Sequence, residues 1–209
     1  MRFGRKSRPA PEPEANETEE VAPPQGRGPH DAADVDVERD GVQRVDLGGL
    51  LIAPQPGTEL RLQVDEDTQA VQSVLLAGPD GGMELRAFAR SRGEEMWPGV
   101  KRALASDFSR RGGVSDEREG PWGSELHGQL QVQMEDGRMG TQASRVIGVD
   151  GPRWFVRATF LGRPAVDASA AGAFETMLSD LVVRRGTDAM APGDPLPLRL
   201  PPSARRVDA

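Results

Sequence analysis

A chain of 209 residues with 36% hydrophobic residues, 25 glycines and 18 prolines has apolar surface for one modest core and leaves other stretches outside it. A formal net charge of −7 argues against broad attraction to nucleic-acid phosphates or anionic lipid, so neither nucleic acid nor membrane is expected as a partner. With no cysteine, disulfides, thiolate metal sites, iron–sulfur clusters and cysteine nucleophiles are excluded; two histidines, His30 and His127, are too few for a zinc or di-iron cluster, and no cofactor is expected.

The chain starts MRFGRKSRPAPEPE, with Arg2, Arg5, Lys6 and Arg8 but no apolar run behind them, so it does not read as a secretory signal and a cytoplasmic location is expected. Residues 1–40 are rich in Pro, Glu and Asp and read as a disordered acidic tail, because they cannot bury enough surface to offset the entropy of ordering. Over 41–187 the pattern becomes that of a folded domain. ELRLQV alternates, with Leu60, Leu62 and Val64 on one side, which is the period of a half-buried strand. QSVLLA and MELRAFA flank PDGG, and further Asp-Gly pairs occur at Asp136-Gly137 and Asp150-Gly151. Each marks a tight hairpin turn, so an antiparallel meander is expected.

Two stretches break that period. Trp97, Val100, Leu104 and Phe108 fall three or four apart after Pro98 and before Gly112-Gly113. Ala171, Phe174, Leu178 and Leu181 do the same between Asp167, an N-cap, and Gly186. The fold class is therefore α+β: an antiparallel meander with two amphipathic helices packed on it. Residues 188–209 are too Pro-rich for a helix, and Leu196, Leu198 and Leu200 alternate. This is an extended arm, lying over the domain or docking a partner.

Counting two-residue loops at both later Asp-Gly pairs sets Met134 opposite Met139, Leu130 opposite Ala143, Ile147 opposite Trp154 and Val156 opposite Arg145. One face then carries Leu126, Leu130, Val132, Met134, Ile147, Trp154, Val156 and Phe160, and Arg145 among them, where an unpaired guanidinium is costly. Three explanations compete: a bulge shifts the register, Arg145 is buried with a carboxylate, or the gap at Gly128 makes a small cavity for a ligand anion. The opposite face carries His127, Gln129, Gln131, Gln133 and Arg157, a row suited to a wet interface or a polar ligand.

No HExxH, GxSxG, phosphate loop or dinucleotide fingerprint occurs. Ser124 and His127, three apart in a strand, point to opposite faces and cannot act together. The expected function is a non-catalytic accessory protein that recognises another protein through the polar sheet face or an edge strand, with His127, Gln129, Gln131 and Arg157 as contacts. The alternative is a binder or hydrolase of a nucleotide-like anion using Arg145, Arg153 and Arg157. Three arginines converging on one pocket would favour the alternative.

The stretches GVQRVDLGGLLIAPQPGTELRLQVD, GPWGSELHGQL, RVIGVDGPRWFVRATFLGRPAVD and LVVRRGTDAMAPGDPLPLRLP, in this order, resemble the bacterial family catalogued as domain of unknown function 3710, over Val42 to Pro201. That resemblance implies no activity and assigns no residue. The element order also resembles the Mog1/PsbP-like arrangement of a sheet with helices, used largely for binding.

Overall fold

The structure, a computed structural model, describes residues 27–201 apart from 66, 69 and 134–136. The basic cluster Arg2 to Arg8 and the acidic run that follows lie outside the described residues. In chain order the elements are β1 (His30–Asp31), β2 (Val45–Asp46), β3 (Leu50–Ile52), β4 (Glu59–Val64), β5 (Val71–Gly78), β6 (Gly81–Ala89), α1 (Trp97–Arg110), β7 (Val114–Gly120), β8 (Gly123–Gln133), β9 (Met139–Asp150), β10 (Trp154–Gly162), a 3-10 turn (Arg163–Ala165), α2 (Ala168–Ser179) and β11 (Val182–Val183). Seven strands form one antiparallel sheet, ordered β4-β5-β6-β10-β9-β8-β7. The remaining four form a small sheet, β1-β11-β3-β2, in which β1 and β11 run parallel.

The two faces of the large sheet bury different clusters. On one face, Val74, Leu76, Met83, Leu85, Ile147, Trp154, Val156 and Phe160 meet α2 through Phe174, Met177 and Leu178, and the small sheet through Leu50 and Ile52. On the other, Leu126, Val146 and Phe155 meet α1 through Trp97, Val100, Leu104 and Phe108, the residues whose spacing predicts the helix. The molecule is therefore layered, helix on sheet on a second layer of helix and small sheet.

The helix starts differ. Asp167 caps α2 locally, accepting from the Ser169 amide at 2.9 Å, as its position suggests. The start of α1 has no side-chain cap of its own: the amides of Met96 and Trp97 donate instead to Asp150, at 2.9 and 3.0 Å, from the far end of β9. Asp150 is thus a tertiary cap as well as part of a turn signal.

Strand register departs from the counted one. Gln133 lies opposite Met139 and Leu130 opposite Gln142, one residue off, while Val156 lies opposite Val149, Ile147 opposite Ala158 and Phe160 opposite Arg145. Neither connection is a two-residue loop: β9 and β10 are joined through Gly151–Trp154, closed by a bond from the Gly151 amide to the Trp154 carbonyl at 2.9 Å. Since side chains alternate, a one-residue slip moves a whole row to the other face. Leu126 and Leu130 therefore face α1, not the Ile147 side; His127, Gln129, Gln131 and Gln133 share the face of Arg145 and Ile147, and Arg157 lies on the opposite one. Met134 is outside the described residues.

The tail expected over 1–40 is corrected from residue 27 onward. His30 donates its amide to Leu181 O at 2.8 Å and Ala32 to Val183 O at 3.0 Å, while Asp31 Oδ2 accepts from Trp154 Nε1 at 2.8 Å and Val35 is buried against Leu51 and Val182. The physical reason is tertiary: β1 contributes backbone pairing to β11, which composition does not register. At the other end the arm crosses the domain, with Leu196 N bonded to Ala87 O and Gly49 N to Pro197 O, and Leu196 buried. No helix among the described residues is long and apolar enough to cross a membrane.

Candidate functional site

Arg145 is only 8% exposed and is fully answered. Its Nε and one terminal nitrogen fork onto Glu125 of β8 at 2.6 and 2.9 Å, the other terminal nitrogen meets Glu175 of α2 at 2.6 Å, and the guanidinium lies 5.1 Å from the Phe160 ring centre. The hydrogen bonds to Glu125, then those to Glu175, hold its pKa above the ordinary guanidinium value against the opposing effect of burial. Of the three explanations the buried carboxylate pair is the one the structure shows: the register differs from the counted one, but Arg145 stays on the face of Ile147 and Phe160. The anion reading loses Arg145, whose donors both glutamates occupy, and on the α1 side of Gly128 the Phe108 ring fills the gap, a Cβ there standing 2.2 Å from Phe108 Cζ.

Beyond this triad the α2 layer ends and the β7–β8–β9 end of the face is open. His127, Gln129 and Ala143 line a shallow groove of about 210 Å³ with Asp116 and Arg118 of β7 and with Val166 after the 3-10 turn. His127 Nε2 is 3.5 Å from Glu125 Oε2. Burial, then the positive charges of Arg118 and Arg145, lower its pKa against the pull of Glu125, so it is neutral at neutral pH. Arg118 is engaged with Asp116 at 2.6 Å, and Gln131 donates to Thr141 Oγ1 at 2.8 Å. Gln129, Gln131 and Gln133 are exposed.

The remaining arginines lie elsewhere. Arg157 faces the α1 side opposite Arg86; burial, then the charge of Arg86, lowers its pKa against Glu84, and its Nε is buried without a partner. Arg153 sits in the β9–β10 turn. Arg145, Arg153 and Arg157 therefore occupy one face, a turn and the opposite face, and do not converge. Ser124 is bound to Lys101 Nζ at 2.8 Å and Glu117 Oε2 at 3.1 Å, apart from His127, so no triad forms. Among the described residues no three His, Cys, Asp or Glu gather as a metal site.

Sequence reasoning missed Glu125 and Glu175 as partners of Arg145, and missed a second groove at the other end of β10, where Arg92, Arg153, Arg184 and Arg185 meet. The Arg184-Arg185 doublet is the only local signal for it.

Residues 28–207 match the family described as Protein of unknown function (DUF3710). The chain belongs to the DUF3710 family. That match extends the Val42–Pro201 resemblance over β1, in agreement with the packing of residues 28–40. No curated protein matches this DUF3710 chain. Among solved structures it is similar to cyanobacterial PsbP (CyanoP) from Synechocystis sp. PCC 6803, with 12% identity over 68% of this chain and 91% of that one and a TM-score of 0.38. It is also similar to LpqN, involved in cell envelope biogenesis of Mycobacterium tuberculosis, with 13% identity over 75% of this chain and 99% of that one and a TM-score of 0.33. Both overlaps are too distant to carry a role from one chain to another.

Proposed function

We propose that this DUF3710 protein is a non-catalytic cytoplasmic accessory protein that recognises another protein through the open β7–β8–β9 end of its sheet. The observation that carries the reading is the row Gln129, Gln131 and Gln133, left exposed on the face of Arg145, whose guanidinium is held by Glu175 of α2. Uncharged donors and acceptors lose little on desolvation when a partner offers matching groups. Exposed apolar residues stand around the row, Val114 at 66%, Met139 at 66% and Val166 at 70%, supplying points of burial within a polar surface. His127, Gln129 and Gln131 remain the expected contacts; Arg157 is withdrawn, since it faces α1.

The face rather than the β7 edge is favoured, because Asp116, Glu117, Arg118 and Glu119 charge that edge and discourage strand addition. The anion-binding alternative loses its basis with the dispersal of Arg145, Arg153 and Arg157. Native mass spectrometry of the tagged protein from its own host tests the proposal. The wild type carries a stoichiometric protein that is lost from a folded Gln129→Arg/Gln131→Arg variant; retention of that protein by the variant, or a small anion as the sole bound species, overturns it.

A further inference from the structure

Four arginines gather in the groove of about 640 Å³ at the other end of β10, a volume within the ~300–1,000 Å³ of ligand clefts. They arrive from three segments: Arg92 follows β6, Arg153 lies in the β9–β10 turn, and Arg184 and Arg185 follow β11, with Asp31 and Asp34 beside them. Like charges brought together from distant parts of a chain repel unless something answers them. The fold answers two in part. Arg184 binds the Asp46 carboxylate at 2.8 and 3.1 Å, and Arg185 donates to Asp188 O at 2.7 Å, although its Nε is buried without a partner. No side-chain hydrogen bond or ion pair engages Arg92 or Arg153 among the described residues. Asp31 cannot serve them well, since its carboxylate already accepts from Trp154 Nε1 and the Ala33 amide.

We infer that this groove binds an extended acidic peptide segment of a partner protein, with Arg92 and Arg153 receiving its carboxylates. The net charge of −7 makes such a concentration of free guanidinium groups a local exception, so attraction is confined to this groove rather than spread over the surface. A peptide fits better than a compact phosphate for two reasons. The partnerless arginines belong to separate segments of the lining, which suits carboxylates spaced along a chain. Asp34, in the same lining, repels a multiply charged ion but accepts from the N–H groups that a peptide also carries. The groove is separate from the Gln129–Gln131 face, and neither inference needs the other.

The test is fluorescence anisotropy of fluorescein-labelled hexaglutamate titrated with the full-length protein. Saturable binding that weakens with salt is expected, and Arg92→Glu/Arg153→Glu lowers affinity by about tenfold or more, the loss of two charge-assisted contacts. Arg102→Glu/Arg110→Glu on the exposed side of α1 changes the charge equally and leaves affinity within about twofold. Arg92→Gln, read with circular dichroism, gives an intermediate loss should the double variant not fold. Absence of saturable binding, equal loss in both double variants, or displacement of hexaglutamate by inorganic phosphate at matched charge overturns the inference; the last outcome marks a small-anion site.

Discussion

Replacing Arg145 by leucine removes one charge from a buried pair and strands the other. Glu125 is 2% exposed and receives two hydrogen bonds from Arg145, whereas Glu175 has a quarter of its side chain in solvent and can turn outward. The dominant cost is then the desolvated Glu125 carboxylate, and removal of one partner from such a pair costs about 3–5 kcal/mol. Urea unfolding followed by tryptophan fluorescence, with Trp154 in the core, reads this directly. With a slope of about 2 kcal/mol per molar urea, the midpoint falls by about 1.5–2.5 M. Arg145→Leu/Glu125→Leu removes the stranded charge and restores most of the loss. A single variant that loses less than about 1 kcal/mol, or a double variant that falls as far as the single, refutes the reasoning that Glu125 depends on Arg145.

Gly128→Ala drives a methyl into the Phe108 ring and costs about 1–3 kcal/mol in a thermal or urea melt, and Gly128→Ala/Phe108→Leu recovers part of it. If the single change is neutral, α1 does not rest on β8 as described. The pH dependence around His127 follows from its lowered pKa: between that value and the unfolded value of about 6.5 the unfolded chain binds more protons, so stability falls as pH drops through this window. His127→Gln flattens the fall, measured as the urea midpoint against pH; an unchanged slope sinks the assignment.

The elements were legible where their cause is local. The alternation of Leu60, Leu62 and Val64, the spacing of Trp97, Val100, Leu104 and Phe108, and the Asp167 cap each act within one or two turns of chain. Register was not, because it depends on how many residues the chain spends between Gln133 and Met139 and between Asp150 and Trp154, and the second connection also serves α1 by presenting Asp150 to its first amides. The error propagated to the site: one slipped residue moved His127, Gln129 and Gln131 from beneath one layer to the edge of another. Arg145 was identified as costly from its face alone, but its partners lie 20 and 30 residues away, and no spacing rule names them. The glycines at 128 and 148 are likewise explained only by the rings of Phe108 and Trp97 that press on them.

The parallel pairing of β1 with β11 joins residues 30–31 to residues 182–183, and Trp154 fastens the same junction through Asp31. During synthesis on the ribosome, the first described strand must therefore wait for nearly the whole polypeptide before it finds its neighbour. The β5–β6 hairpin and the β7–β10 meander can form as they emerge, but the layer over Leu50, Leu51 and Ile52 cannot close until Val183 is made. A transcript cut short before that point yields a sheet with one apolar side bare, a species for chaperones and proteases rather than a smaller working protein.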